Sequence, residues 1–277
     1  WVDVAVGNEN TVVVEHDEGR LRVFAGMPSS GIAREEADIV VEGTEPYSEM
    51  AWDFDGLDFD GDGFGDLVVG QDARDPSGAV LIFQGPLTAS RYVDVDATMT
   101  LWGEGPGTDL AGYRLGRAGD TNGDGYEDLV TGAAQHGDGV AYIVRGGRPW
   151  EDMWLSAADI RIVHEAPDED HRFFGAYCSG AGDLDLDGWP EVVVAEGRTD
   201  PTDIRIFFGP LEPAGTWSSS DAEVVLHSTP GLRDSRFDAM LGPGDLTADG
   251  APDLVIGSYF HGLEYDGMVY IVPGSGW

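Results

Sequence analysis

The sequence contains no lysine, a single cysteine, and no apolar run long enough for a membrane-spanning helix, which needs about 18 residues or more. Because Cys178 has no second cysteine to pair with, a disulfide framework is excluded. Fifteen basic residues, all of them arginine, oppose 52 Asp and Glu, and the formal net charge is −37. Such a surface repels polyanions. We therefore expect a protein that neither inserts into a membrane nor binds nucleic acid.

Acidic, glycine-rich segments recur along the chain, and each leads directly into an apolar run. They are DFDGDGFGD at 58–66 (loop 1), DTNGDGYED at 120–128 (loop 2), DLDLDGWPE at 183–191 (loop 3) and DLTADGAPD at 245–253 (loop 4). Their first residues are 62, 63 and 62 positions apart, and Asp3 aligns with Asp66 at the same period. A constant period identifies a repeat protein. The expected repeats span approximately 1–46, 47–108, 109–170, 171–233 and 234–277.

Within each repeat the apolar pattern predicts four short strands and no helix. In the repeat beginning near residue 109, the segments AGYRLGRAG, DLVTGAA, VAYIV and DIRIV alternate or run apolar over strand-like lengths. Repeated four-stranded sheets with short, protected edges are typical of a β-propeller, so we expect an all-β fold of four-stranded blades. A stacked solenoid is the alternative, although its repeats are usually shorter than about 60 residues.

Loop 1 carries the pattern expected of a calcium site. Asp58, Asp60 and Asp62 stand at alternate positions 1, 3 and 5; the carbonyl of Phe64 follows at position 7 and Asp66 at position 9. Calcium takes six to eight oxygen ligands, mostly carboxylates and carbonyls. Carboxylates this close raise one another's pKa, so the charged cluster is costly unless a cation lies among them.

The other loops repeat these ligand types with substitutions. The expected ligands of loops 2 and 3 are Asp120, Asn122, Asp124, Tyr126 and Asp128, then Asp183, Asp185, Asp187, Trp189 and Glu191. Loop 4 has a hydroxyl in place of the third-position carboxylate, and we expect weaker binding by Asp245, Thr247, Asp249, Ala251 and Asp253. The sequence thus predicts three calcium sites and a fourth, weaker one.

Three other interpretations of the loops were weighed. Asp and Gly favour turns by themselves, but three full copies in register favour a metal site. An EF-hand needs a glutamate at position 12, where these loops have Val69, Thr131, Val194 and Ile256. Magnesium prefers a smaller octahedral shell with more water, which makes calcium the expected ion.

The repeated motif resembles the FG-GAP repeat of integrin α-subunit propellers and their bacterial relatives. Phe174-Gly175 followed by Gly182-Asp183 carries the first half of the motif, and 139–143 and 267–271 carry the second. Other copies depart from the Phe-Gly pair, as at Ala111-Gly112. The resemblance implies a seven-bladed propeller with calcium in hairpin loops on one face and ligands at the opposite face or the rim. Seven such blades need roughly 430 residues, so we expect the 277-residue chain to be a fragment of a longer surface protein.

Catalytic motifs are not recognisable in the sequence. The six histidines show no metal-binding spacing, and no serine lies in a GxSxG turn. Cys178 is interpreted as a small buried residue, and His164 and His227 as a repeated structural position at the ends of fourth strands. The inter-strand tryptophans favour packing between blades, with a sugar- or partner-binding rim as the alternative: Trp102, Trp150, Trp154, Trp189 and Trp217.

These observations predict a non-catalytic, calcium-stabilised binding, adhesion or surface-assembly module. We expect it outside a bacterial cell, secreted or on the surface, where calcium is plentiful. Its expected partners are a protein or glycan, or other chains that complete the propeller. The propeller domain of a secreted calcium-dependent polysaccharide lyase or hydrolase is the alternative.

Overall fold

The computed structural model describes residues 4–8, 19–24, 37–44, 49–74, 76–92, 96–105, 110–165, 173–197, 202–227, 239–258 and 267–274. Within these residues the regular secondary structure consists of short strands, with two 3₁₀ turns at Leu155–Ala157 and Ser219–Asp221. The prediction of an all-β fold is confirmed. Asp3, the residue that aligns with Asp66, lies outside the described residues.

The described strands form five sheets, numbered here in chain order. Sheet 1 contains β1 Val4–Asn8, β2 Arg20–Phe24 and β3 Ile39–Glu42. Sheet 2 contains β4 Met50–Leu57, β5 Asp66–Gln71, β6 Ala79–Phe83 and β8 Met99–Trp102. Sheet 3 contains β9 Ala111–Gly119, β10 Asp128–Ala133, β11 Val140–Val144 and β13 Ile160–Val163. Sheet 4 contains β14 Phe174–Gly182, β15 Glu191–Glu196, β16 Asp203–Phe207 and β18 Val224–His227. Sheet 5 contains β19 Ala239–Gly244, β20 Asp253–Ser258 and β21 Met268–Val272.

In each sheet the strands given above pair antiparallel with their neighbours in chain order. In sheet 3, for example, Leu129 pairs with Val144 on one side and with Arg117 on the other. The second strands β5, β10 and β15 are buried at every position, as expected of apolar runs with a neighbouring sheet on each face. Arg205 of β16, in contrast, remains partly exposed between buried isoleucines.

Four apolar cores join the sheets in chain order, one between each successive pair. The first strands β4, β9, β14 and β19 lie beside one another in that order. Between sheets 3 and 4 the core brings together Val130, Ala141 and Ile143 from one sheet with Val192, Val194 and Phe207 from the other. Sheets stacked face to face in series, with their first strands adjoining, are consistent with successive propeller blades.

Paired glycines let neighbouring sheets approach closely. A Cβ on Gly132 of β10 would lie 1.9 Å from the carbonyl oxygen of Gly175 on β14. The same relation holds one sheet earlier, where a Cβ on Gly70 would lie 2.0 Å from the carbonyl oxygen of Gly112. Any side chain at these positions would separate the sheets, which explains glycine in the apolar runs LVVG and LVTG.

Three short strands were not predicted from the sequence. They are β7 Arg91–Tyr92, β12 Met153–Trp154 and β17 Gly215–Ser218. Each lies in the connection between the third and fourth strands of one repeat and pairs in parallel with the fourth strand of the preceding sheet. The connecting segment therefore covers the outer edge of the preceding sheet, which would otherwise present unpaired N–H and C=O groups.

No helix among the described residues has the length and apolar character needed to cross a lipid bilayer.

Candidate metal centres

The four acidic loops occupy equivalent places in four sheets. Each loop connects the first strand of its sheet to the second, so loops 1 to 4 lie between β4 and β5, β9 and β10, β14 and β15, and β19 and β20. Because the sheets are stacked in the same orientation and order, the loops follow one another along one side of the molecule. The structure thus brings the predicted site residues to one end of successive sheets.

Hydrogen bonds from the main chain wrap loop 1 around its first carboxylate. Oδ2 of Asp58 accepts a hydrogen bond from the Gly63 N–H at 3.0 Å. Oδ1 of Asp60 accepts from the Asp62 N–H at 3.1 Å, and Oδ1 of Asp62 accepts from the Phe64 N–H at 2.8 Å. Gly63 adopts φ +87°, a conformation that glycine reaches without strain. The alternating Asp residues therefore shape the turn, and Oδ2 of Asp60 also accepts a hydrogen bond from Nε2 of Gln84.

Loops 2, 3 and 4 repeat this wrapping. The first carboxylate accepts a hydrogen bond from the N–H of the sixth residue in each: Asp120 from Gly125 at 2.9 Å, Asp183 from Gly188 at 3.0 Å, and Asp245 from Gly250 at 3.0 Å. The fifth-position carboxylate accepts from the seventh-position N–H in the same three loops: Asp124 from Tyr126, Asp187 from Trp189, and Asp249 from Ala251.

In three loops, carboxylate oxygens of at least three residues lie within 4.8 Å of one another. The sets are Asp58, Asp60 and Asp62; Asp183, Asp185 and Glu191; and Asp245, Asp249 and Asp253. Loop 2 has an amide at the third position, and its Asn122 Nδ2 donates to Oδ2 of Asp124 at 2.9 Å. In loop 4 the hydroxyl of Thr247 donates to Oδ1 of Asp253 at 3.2 Å, so position 3 stabilises the ninth residue.

Unpartnered oxygens in two loops fit a cation. Among the described residues, Oδ1 of Asp58, Oδ1 of Asp183 and Oε1 of Glu191 are shielded from solvent and accept no hydrogen bond. Glu191 is fully buried. A buried carboxylate oxygen without a donor is costly, and a bound cation would remove that cost. The donor set, carboxylates with main-chain carbonyls nearby, is the set that calcium prefers.

The ninth residue of each loop is buried and binds main-chain amides. Asp66 accepts from the N–H groups of Phe59 and Gly85, each within 2.9 Å. Asp128 accepts from those of Thr121 and Gly146, each within 3.0 Å. Burial raises the pKa of both carboxyls, although the amide hydrogen bonds oppose the shift. This residue therefore joins the start of its loop to the glycine that follows the third strand.

Glu191 takes the same place in loop 3, and its Oε2 accepts a hydrogen bond from the Leu184 N–H. Burial, with smaller contributions from the neighbouring Asp185 and Asp183 carboxylates, raises the pKa of Glu191 to about 7 against the opposing effect of the Leu184 and Gly209 N–H groups. Without a cation this carboxyl is therefore about half protonated at neutral pH. A cation in the loop would compete with that proton.

The residues considered for other chemistry occupy structural positions. Cys178 is buried and burial raises the pKa of its thiol, so it is poorly suited to act as a nucleophile. Nε2 of His164 lies 3.2 Å from Oε1 of Glu196, and Nδ1 of His227 lies 2.8 Å from Oδ1 of Asp203.

The tryptophans divide between packing and exposure. Trp150 packs 5.7 Å from Phe59, and Trp217 packs 6.4 Å from Phe207, measured between ring centroids. Trp154 is 48% exposed on β12. Packing between sheets therefore accounts for Trp150 and Trp217, and Trp154 remains open to a partner.

Two features of the loops were not predicted from the sequence. Glu127 of loop 2 accepts a hydrogen bond from the Asp58 N–H at 2.8 Å, across 69 residues of chain. The ring of Tyr126, a residue expected from the sequence only as a carbonyl ligand, lies against Gly61 of loop 1, as the ring of Trp189, expected to pack between blades, lies against Gly123 of loop 2. The sequence signal for both is the place of these residues in the repeat, at positions 7 and 8 of the loop.

Comparison with known proteins gives the same relationship as the motifs. Residues 111–144, which contain the first three strands of sheet 3 and loop 2, match the FG-GAP repeat model. The chain is 26% identical over 188 residues to integrin alpha pat-2 of Caenorhabditis elegans, covering 60% of this chain and 14% of that protein. It is 28% identical over 217 residues to integrin alpha-PS2 of Drosophila melanogaster, covering 73% of this chain and 14% of that protein. Integrin alpha-6 of Gallus gallus is 27% identical over 161 residues, covering 55% of this chain and 14% of that protein.

Among solved structures, a rhamnogalacturonan lyase PL11 of Bacillus licheniformis aligns with a TM-score of 0.46 and 13% identity, covering 81% of this chain and 41% of that one. The chain spans only 14% of the length of the curated relatives named above. The resemblance predicted from the motifs is confirmed: residues 111–144 match the FG-GAP repeat, and the chain is similar over more than half of its length to integrin α chains.

Proposed function

We propose that the chain forms consecutive blades of a calcium-stabilised β-propeller that acts as a non-catalytic binding or adhesion module outside the cell. Five sheets stacked in series with adjoining first strands support the blade architecture. The blades correspond to repeats of about 62 residues with the approximate bounds given above, in a ring of seven. The outermost strands β3, β8 and β13, each covered by a strand of the following repeat, provide the protected edges that such a ring needs.

Calcium is the proposed ion in loops 1 to 4, held by the residues at positions 1, 3, 5, 7 and 9. The observation that carries this proposal is the set of buried, unpartnered carboxylate oxygens of Asp58, Asp183 and Glu191 within gathered acidic clusters. When bound, calcium supplies the positive charge that lets these carboxylates lie close together. The residues themselves already hold the loop in a closed turn through hydrogen bonds to the main chain.

The binding role rests on the similarity to integrin α chains and on an exposed aromatic ring. Similarity over 55–73% of the chain to integrin α proteins favours a module that binds another protein or pairs with another chain. A glycan is the other proposed partner, and Trp154 offers an exposed ring for either. Millimolar calcium outside cells suits extracellular modules, whose dissociation constants are about 10⁻⁴ to 10⁻³ M.

Thermal unfolding in EDTA, followed by addition of about 1 mM calcium or magnesium, tests the ion. A site of the expected affinity adds about 0.4–1.4 kcal/mol to the free energy of unfolding. This corresponds to an increase in Tm of about 1–5 °C per site. We expect calcium to raise the Tm more than magnesium does, and Asp62→Ala to remove the share of loop 1.

Glu151→Ala is the matched control, because it deletes one exposed carboxylate outside the loops. It should leave the calcium response unchanged. A Tm that does not change when calcium is added, or that rises equally with both ions, would contradict the proposed sites. The loops would then be turns closed by their own hydrogen bonds.

A further inference from the structure

Aromatic rings link neighbouring loops. A Cβ on Gly61, at position 4 of loop 1, would lie 2.8 Å from Cε1 of Tyr126, at position 7 of loop 2. A Cβ on Gly123, at position 4 of loop 2, would lie 2.7 Å from Cη2 of Trp189, at position 7 of loop 3. Each ring therefore lies directly against the fourth residue of the preceding loop, which has to be glycine to leave room for it.

Where the ring is missing, the glycine is missing too. Position 7 of loop 4 is Ala251, and position 4 of loop 3 is Leu186, which is 58% exposed. Leu186 nevertheless has φ +63°, the conformation that glycine adopts in loops 1 and 2. The glycines of loops 1 and 2 are thus explained by the neighbouring ring as well as by backbone conformation.

Loops 1 and 2 are also joined by hydrogen bonds. Oε2 of Glu127 accepts from the Asp58 N–H at 2.8 Å, and the Glu127 N–H donates to the Asp58 carbonyl at 3.3 Å. In loop 3 the equivalent residue is Pro190, which has no N–H to donate and packs near Gly119. The contacts between loops therefore weaken along the described part of the chain. A ring and hydrogen bonds join loops 1 and 2, and a ring alone joins loops 2 and 3; neither kind of contact joins loops 3 and 4.

The seventh residue belongs to two loops at once. Its carbonyl is a proposed ligand of its own loop, and its N–H closes that loop by donating to the fifth-position carboxylate, as Tyr126 does to Asp124 at 3.0 Å. Its ring packs on the preceding loop. An ion that orders one of the two loops consequently removes part of the conformational entropy that ordering the other would cost.

We propose that Tyr126, Trp189 and Glu127 couple neighbouring calcium sites, so that an ion in one loop increases the affinity of the next. Coupling is strongest between loops 1 and 2, weaker between loops 2 and 3, and absent between loops 3 and 4. Because coupling free energies are reciprocal, it acts equally in both directions. The inference rests on the proposed calcium sites.

Isothermal titration calorimetry on chains with two intact loops tests the coupling. One double variant, Asp187→Ala with Asp249→Ala, disables loops 3 and 4 and leaves loops 1 and 2 intact. The other, Asp62→Ala with Asp124→Ala, disables loops 1 and 2 and leaves loops 3 and 4 intact. We expect two calcium ions per chain in each. A coupling of about fivefold, at the low end of the usual range, gives a Hill coefficient of about 1.4 for loops 1 and 2. The chain with loops 3 and 4 should give about 1 or less, because independent sites of unequal affinity broaden the binding isotherm.

Ring variants then identify the cause. In the chain with loops 1 and 2, Tyr126→Ala should reduce the Hill coefficient towards 1, and Tyr126→Phe should preserve it. Trp154→Ala is the matched control, because it removes a 48% exposed aromatic ring on β12, outside the loops. Gly61→Ala should also reduce the coupling. Gly63→Ala should leave the coupling unchanged. Gly63 has a positive φ similar to that of Gly61, but no heavy atom lies within 4 Å of a Cβ added there.

The outcomes separate the two proposals. If neither chain binds calcium, the proposed function fails. If both bind two ions with Hill coefficients near 1, the sites stand and the coupling is refuted. Binding of a single ion by the first chain would remove one of loops 1 and 2 from the sites and refute the coupling as well. Should Tyr126→Ala not fold, as judged by circular dichroism, Tyr126→Phe and Gly61→Ala still decide the role of the ring.

Discussion

At the scale of the residue, carboxylates of one loop have two different environments. Asp124 of loop 2 is exposed and closes the turn locally by accepting from the Tyr126 N–H. Asp128, four residues later, is fully buried and accepts from Thr121 and Gly146, on two separate segments. A repeated aspartate is therefore a local turn-forming residue at one position and a long-range structural link at another.

This difference predicts unequal costs in the absence of calcium. In EDTA, Asp128→Ala should lower the free energy of unfolding by about 2–4 kcal/mol, because it leaves buried amides without an acceptor. Asp124→Ala should cost less than about 1 kcal/mol, because its partners are accessible to water. Urea unfolding measures both. Equal losses would show that burial of Asp128 does not set its contribution.

At the scale of the element, the parallel strands β12 and β17 are equivalent in topology but differ in packing. Each extends the outer edge of the preceding sheet. Trp217 of β17 packs against the core between sheets 3 and 4, and its Nε1 donates to the Pro213 carbonyl at 2.9 Å. Trp154 of β12 is 48% exposed. The strand pairing recurs, but the residue that packs on the core is Trp217 in β17 and Met153 in β12.

Trp217→Ala should therefore destabilise the protein by roughly 2–4 kcal/mol through lost packing, somewhat less than for a fully buried tryptophan. Trp154→Ala provides the matched control and should cost less than about 1 kcal/mol. Chemical denaturation of the two variants at constant calcium concentration measures the difference. If both variants are destabilised equally, the anchoring role of Trp217 is wrong.

At the scale of the whole molecule, a chain with net charge −37 also buries carboxyls away from its loops. Burial, together with the Glu49 carboxylate, raises the pKa of Asp72 to about 7, and Arg114 only partly opposes the shift. Burial raises the pKa of Asp53 to about 6, against hydrogen bonds from Leu115 and Phe54 and the charge of Arg114. Both groups therefore bind a proton in the folded chain after the unfolded chain has lost it.

The sign of the pH dependence follows. Between roughly pH 4 and pH 7 the folded state binds more protons than the unfolded state, so these groups make the free energy of unfolding fall as pH rises. In EDTA, Asp72→Asn should make this slope less steep by about 1.4 kcal/mol per pH unit between pH 5 and 6.5. It should also be more stable than the parent at pH 8. Urea unfolding across pH checks this, with exposed Glu151→Gln as the control. An unchanged slope would contradict the burial of a protonated Asp72.

Much of the fold and of the candidate site could be predicted because the determinants are local. The turns depend on Asp side chains that bond amides two to five residues away, such as Asp58 with Gly63 and Asp62 with Phe64. The strands follow from alternating or continuous apolar runs, as in β13 and β5. Repetition then multiplies each local signal, since the same pattern returns after 62 or 63 residues.

The sequence by itself determined the strands, the acidic turns and their period, because each depends on neighbours within a few residues. Only the tertiary structure decided which oxygens stay unpartnered, as for Glu191, and which carboxylates are enclosed, as for Asp128. It also decided that β17 covers β13 and that Tyr126 lies on Gly61. These relations join residues that are dozens of positions apart, and they arise only when the sheets stack and exclude water between them.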